Sequence, residues 1–402
     1  MRFITRLYTC FAATVIFVLY FNWIRPSAYI QDSIQDNINR VWKQHAHRLV
    51  VFGDDWSDTG VYRVASPPSG TTRDRDPHQG KLWTETLCKE LNCDYIDNYA
   101  RSSPATSKTS AVGSMVDADI FANATGNARD EPFMSFDFQA QVQQFISYEK
   151  KRKHLPAPLR PSDQSTVFTV LFGIWDLLAY SPLDQEVGIQ AINRSVAELV
   201  HNLDILAAHV DGPLKVVVPS VLDVTFLPRF SSRRNESTDM YAMDHHQAVF
   251  MWHYWNSVLF QAAEAWDKGD LFMPDLHGIV MDQVRNHQLY YNQISDADGF
   301  GTQAPLFYDV EQPCISRNYT SGLQAPAVDK CPEPSRHLFW DDMHLSGPVH
   351  KLIGKEAARL VHGNATLNFD ARERALQRDS PNAAHGAERQ GADFGLRFPP
   401  AS

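Results

Sequence analysis

The chain of 402 residues is short of cations: 37 Lys and Arg against 47 Asp and Glu leave a net charge of −10. It also lacks a basic stripe, so nucleic acid is excluded as a partner, because phosphate binding needs clustered Lys and Arg to displace counterions. Cysteine is scarce, five in all, and no pair has the CxxC spacing that a structural zinc site would use. No glycine-rich phosphate loop and no internal repeat is present. Neither a cofactor nor a metal is therefore expected.

What is there begins at the N-terminus. Leu7–Ile24 contains no charge, with Arg2 and Arg6 before it and Arg25 after it. The stretch is long enough to cross a bilayer. The one candidate cleavage site, Pro26-Ser27-Ala28, is poor, which favours an uncleaved anchor over a cleaved signal peptide. The arginine bias places the N-terminus in the cytosol and the body in the lumen or outside, or secreted if the segment is removed. Residues 1–25 are read as the anchor and 26–47 as a linker.

The body suits that compartment. Asn-x-Ser/Thr triplets begin at Asn123, Asn193, Asn235, Asn318 and Asn364, none with proline in the middle. With Cys10 inside the apolar span, Cys88, Cys93, Cys314 and Cys331 form an even set. Proximity suggests Cys88 with Cys93 and Cys314 with Cys331, although four cysteines allow three connectivities. From residue 370 to 402 the chain is polar and arginine-rich, which reads as a disordered tail.

Between these ends short apolar runs alternate with helical patterns. Arg48–Gly53, Tyr95–Tyr99, Thr166–Gly173, Leu214–Ser220 and Asp270–Pro274 are the strand candidates. Runs such as LKVVV do not alternate, as expected of strands covered on both faces. Lys81–Leu91, Phe136–Lys150, Asp184–His209 and Tyr241–Trp266 carry apolar residues at spacings of three and four. This alternation predicts an α/β fold with a parallel sheet and helices on both sides. Chemistry should then lie at the turns after Phe52, Tyr99 and Phe172, beyond the strands' carboxyl ends.

Those turns carry the most informative residues. FGDDWSDTG, Phe52–Gly60, resembles the first block of the GDSL (SGNH) hydrolases, typically FGDSLSDTG, at seven of nine positions. NYARSSPATS from Asn98 resembles the block with an oxyanion-hole glycine, LFGIWDLLAY from Leu171 the Gly-x-Asn-Asp block, and FWDDMHLSG from Phe339 the Asp-x-x-His block. PDLHGIVMDQVRN and the cysteines before the last block are similar too. The resemblance spans nearly the whole body, taken as one domain over 48–369. It implies a three-layer α/β/α sandwich around a parallel five-stranded, flavodoxin-like sheet.

Carried over residue by residue, His344 falls on the general base and Asp341 on the acid that orients it. Asp55 falls on the serine nucleophile, Ser103 on the glycine and Trp175 on the asparagine, and all three depart from the family pattern. Ser103 is mild if the donor is a backbone N–H. Trp175 can donate, but from a longer side chain aimed differently. Asp55 removes the nucleophile outright, and Ser57 matches the family's second serine, so it is no replacement.

Three readings follow. One is an ester hydrolase, removing acyl or acetyl groups from carbohydrate or other small esters, in which Asp55 holds or deprotonates water. The second has Asp55 as a nucleophile that forms a covalent ester. The third is a pseudoenzyme that binds a glycan or protein partner in the old cleft, with Asp55 and the imidazolium of His344 frozen as an ion pair. No second apolar surface supports a lipase. In DHHQAVFMWHYWN, His246 and His253 share a helical face but are too far apart for one ion. Trp252, Trp255 and Phe260 read as core.

Overall fold

The computed structural model describes residues 45–67, 75–102, 113–126, 136–154, 162–235, 238–318 and 327–379. The chain divides into two units, Met1–Ala46 with Pro161–Gln164, and His47–Arg160 with Ser165–Ser402. Of the first, only strand ends at 45–46 and 162–164 are described. The second carries the core, the described helices and the candidate site. The span read in 1–25 lies outside the described residues, among which no helix is long and apolar enough to cross a membrane.

In chain order the elements are β1 (His45–Gly53), α1 (Trp83–Glu90), β2 (Tyr95–Asn98), α2 (Ala118–Thr125), α3 (Phe138–Lys153), β3 (Ser162–Leu171), α4 (Ile174–Tyr180) and α5 (Gln185–His209). Then come β4 (Leu214–Val217), the one-turn α6 (Pro228–Ser231), α7 (Thr238–Ala265), β5 (Gly269–Phe272) and α8 (Leu276–Tyr291). The hairpin β6 (Ile315–Asn318) and β7 (Ala327–Lys330) precedes α9 (Gly347–His362) and α10 (Phe369–Asp379). The strands order β2-β1-β3-β4-β5, with parallel registers such as Val51↔Asn98 and Val217↔Phe272. Helices α3, α5 and α7 pack in one series and α1, α9 and α8 in another, giving the three-layer α/β/α sandwich.

The strands form where the sequence is continuously apolar because both faces are covered. Leu49, Val50, Val51 and Phe52 are all fully buried. Phe52 stacks on Tyr99 at 5.5 Å and meets Phe138 and Phe145 edge-on at 5.7 and 5.8 Å. Truncating such a ring typically costs about 3–5 kcal/mol. In this strand order the crevice opens between β1 and β3, where crossovers leave in opposite directions. The turns that end those two strands carry Asp55 and Trp175.

Four sequence readings change. β1 begins at His45, inside the stretch read as linker 26–47. The tail read from 370 opens instead with α10, while 380–402 lie outside the described residues. Composition missed this helix because one buried asparagine fastens its start: Asn368 accepts from Leu271 N at 3.0 Å and donates to Gly269 O at 2.8 Å. Arg372 then pairs with Asp270, and Ala371 is buried. The hairpin β6–β7, absent from the sequence reading, is closed by the Cys314–Cys331 disulfide. Phe260, read as core, is 44% exposed on the outer side of α7, whereas Trp255 is buried and Trp252 half-buried.

Candidate active site

The turn after β1 can form only with glycine at its start. Gly53 has φ +151°, and a Cβ there would sit 2.8 Å from Leu171 O. Asp54 N then donates to Leu171 O at 3.3 Å, tying the turn to the end of β3. The carbonyl of Asp54 accepts from Ser57 and Asp58 N, and its carboxylate accepts from Trp56 N at 3.0 Å. Asp55 stands on the crest. Asp58 fastens the far side: it accepts from Asn98 Nδ2 at 2.8 Å, Ser102 N at 2.9 Å and Tyr62 OH at 2.6 Å. The block FGDDWSDTG is thus largely a device for holding one residue up at the crevice between β1 and β3, fastened on its far side to β2.

Two further turns aim side chains at that residue. Gly173, φ +115°, caps α4, and Trp175 in its first turn donates its indole N–H to Asp55 Oδ1 at 2.7 Å. Arg229 of α6 lies over the Trp175 ring, 5.8 Å from its centroid. Opposite, the Asp341 carboxylate folds its own turn, accepting from Met343 N at 2.9 Å and His344 N at 2.8 Å. The same Oδ1 meets His344 Nδ1 at 2.7 Å, and His344 Nε2 meets Asp55 Oδ2 at 2.7 Å. Residues 289 positions apart are thereby joined in one chain, Asp341–His344–Asp55–Trp175.

The chemistry of that chain differs from a hydrolase triad in one respect. A serine oxygen beside Nε2 would donate to it, whereas carboxylate oxygens only accept. With carboxylates on both sides, both contacts are satisfied when both ring nitrogens carry hydrogen, which is the imidazolium. The lone pair that a general base needs is then absent. Nor is the cluster open: Asp55 is 5%, Trp175 4% and His344 3% exposed. Gly113, bridged to Ser102, presses its Cα on this group; a Cβ there would collide with Trp175 Nε1 and Asp55 Oδ1.

The surrounding ionisable groups lean toward their neutral forms. Burial, followed by the neighbouring Asp55 carboxylate, holds the Asp54 carboxyl well above the usual range. Burial lifts Asp176, whose Oδ1 accepts from Val116 N at 3.3 Å, to about 7. His350, buried near Trp56, is pushed down to about 3 by burial and by His344. Its two nitrogens have no hydrogen-bond partner among the described residues.

Of the residues singled out from the sequence, the structure brings Asp55, Trp175, Asp341 and His344 together, and Ser103 lies outside the described residues. Ser57 is buried and accepts from Trp83 Nε1 at 3.2 Å, remote in role from His344. Disulfides join Cys88 to Cys93 and Cys314 to Cys331. The second holds the hairpin whose base, through Cys314 N to Phe339 O at 3.0 Å and Ile315 N to Trp340 O at 2.8 Å, carries the Asp341 turn. Asn123, Asn193 and Asn364 are exposed; Asn235 and Asn318 have side chains outside the description. On α7, His245 packs against the Phe230 and Tyr241 rings, while His246 and His253 are exposed.

Gly113, Asp54, Asp176, Arg229 and His350 were not anticipated as site residues. Asp54 and Asp176 do stand inside the quoted blocks. Gly113 offered only a lone glycine in a serine-rich loop. No family model matches this chain, and no curated protein matches it.

Proposed function

We propose that this chain is an SGNH-type protein of the secretory pathway whose ester-hydrolysis site has become a closed ionic lock, and that it acts by binding a glycan or a protein partner. The observation that carries this is the double engagement of Asp55, Oδ2 on His344 and Oδ1 on Trp175, both at 2.7 Å. Ester hydrolysis at such a site needs a nucleophile, a base with a vacant nitrogen and a donor for the developing oxyanion. Here the same carboxylate takes the place of the first and occupies the other two.

Energetics support the reading. Separating one partner from a buried ion pair costs about 3–5 kcal/mol. Each 1.36 kcal/mol is a factor of ten in population or rate, so opening the lock would cost roughly 10²- to 10⁴-fold before any chemistry began. A missing asparagine donor adds about 10²- to 10³-fold.

A second reading, hydrolysis of acyl or acetyl esters on carbohydrate, is favoured by one specific observation. Asp341, His344 and Asp55 preserve the acid–imidazole–third group order at 2.7 Å per link, from which Asp55 could position water or attack directly. Release of aryl alcohol from an aryl acetate, and of acetate from a panel of acetylated sugars, by the purified full chain separates the two. The lock predicts equal rates for wild type and His344→Ala. A rate lost in the variant would establish hydrolysis, and heavy-oxygen label in the Asp55 carboxylate after one turnover would identify it as the nucleophile.

A further inference from the structure

Away from the lock, the segment after α8 lines an open surface pocket of about 560 Å³. That volume is within the range of small-molecule sites. Its walls are the rings of Tyr290 and Tyr291 and the side chain of Ile294, with Gln293, Ser295 and Thr302 at the polar positions. Among the described residues, no charged side chain lines it. Tyr291 is 54% and Ile294 56% exposed, so large apolar surface faces water.

The loop is built to hold this shape. Gln293 adopts φ +58°, and its N–H donates to Tyr290 O at 3.0 Å while Ile294 N donates to Leu289 O at 2.9 Å. Asp296 Oδ1 accepts from Asp298 N and Phe300 N at 3.0 and 2.9 Å, and Gly301 N donates to Asn286 Oδ1 at 2.8 Å. Arg285 pairs with Asp296 at 2.6 Å and covers the Phe300 ring. The two tyrosine rings stand 5.6 Å apart at 88°, a floor and a wall. His287 backs Tyr291 at 4.6 Å; because its Nε2 meets a carbonyl, Tyr308 O at 3.0 Å, that nitrogen carries the hydrogen and the ring is pinned.

We propose that this cavity binds an uncharged oligosaccharide. Sugar rings present apolar C–H faces edged with hydroxyls. Tyrosine offers a rigid apolar face with a polar tip, which matches that surface. The Gln293 amide both donates and accepts; the Thr302 hydroxyl donates to Gly299 O at 2.6 Å, so toward a ligand it accepts. The absence of charge in the lining excludes selection of an anionic ligand by ion pairing. The proposal specifies the ligand side of the binding reading above, yet its site is separate from the Asp55 lock.

The test is calorimetric titration of the full chain with cellotetraose, xylotetraose and mannotetraose, repeated with Tyr291→Ala and Tyr291→Phe. Saturable binding of at least one is expected, weakened about tenfold by Tyr291→Ala and by less than that by Tyr291→Phe, which keeps the apolar face, with equal melting temperatures. No binding of any of the three at millimolar concentration overturns the proposal, as does equal affinity in all three proteins. So does a dimer in sedimentation that Tyr291→Ala dissociates, because the tyrosines would then serve self-association. Aryl acetate hydrolysis by the wild type would overturn the lock and leave the titration result standing.

Discussion

Replacing Asp55 with serine tests the lock most directly. The serine oxygen would occupy nearly the position of the Asp55 carboxyl carbon, one C–O length, roughly 1.2 Å, short of Oδ2. Oδ2 is 2.7 Å from His344 Nε2, so the hydroxyl lies within about 4 Å of the imidazole, a gap that ligand-free hydrolase sites often show before substrate tightens them. His344 would keep one anionic neighbour, Asp341 at 2.7 Å, and Nε2 would regain its lone pair. Trp175 Nε1 would be released as well, but from an indole. D55S should therefore hydrolyse aryl acetate above the wild-type rate, and D55S/W175N should exceed D55S by about 10²- to 10³-fold. A fluorophosphonate probe, which reacts with activated serine hydroxyls, should label both variants and neither of their H344A derivatives. If both variants stay folded and neither hydrolyses nor takes up the probe, the site is not an SGNH site and the resemblance misleads. If the wild type is faster than D55S, Asp55 is itself chemically competent and the lock is wrong.

Two predictions concern stability. H344Q removes the imidazole between two buried carboxylates, Asp55 and Asp341, and, if the proposed ion pair holds, should lower the unfolding free energy by about 3–5 kcal/mol in urea titrations; a loss under 1 kcal/mol would mean that the imidazole is not holding them. Asp176 has a folded pKa raised to about 7 from 3.8, so its contribution is fully present below pH 3.8 and is lost as pH rises through 7. Relative to D176N, wild type should lose about 2–3 kcal/mol of stability between pH 5 and pH 7, and parallel pH curves for the two proteins would refute the assignment.

How much could be read from the sequence depended on how local the determinant was. The five strands of the parallel sheet were legible because a run such as Leu49–Phe52 has no polar face to hide, and α1, α3, α5 and α7 because their apolar residues recur at the helical period, whereas the other helices were not read from the sequence. The residues of the lock were legible because each sits in a short block whose turn chemistry is local: Gly53, Gly173 and the Asp341 carboxylate shape their own turns. That Asp55 and Trp175 would meet at 2.7 Å was not legible, since it depends on the spacing between β1 and β3. Gly113 was invisible for the same reason: what requires glycine there is the Trp175 ring, 62 positions away in sequence. The start of α10 is likewise set by Asn368 bonding to strand β5, which composition does not record.

On the proposed reading, Asp55 would also account for a site that loses hydrolysis while keeping its architecture. Serine and aspartate differ little in bulk at a turn crest, and Gly53, Asp54 and Asp58 all make bonds that hold the crest. Exchange of one for the other therefore leaves the frame intact and changes only what the crest offers to His344. A hydroxyl offers a hydrogen and draws out the basic form of the ring. A carboxylate offers two acceptors, draws out the acidic form, and finds in Trp175 a second donor that an asparagine would have kept for the substrate. With both oxygens engaged, Asp55, Trp175 and His344 are buried and a Cβ at Gly113 would meet Trp175 Nε1 and Asp55 Oδ1. Silencing and closure are on this account one event, and D55S should reverse both: with the carboxylate gone, amide exchange at Gly113 and Ser114 should rise along with hydrolysis, and a rise in one without the other would separate them.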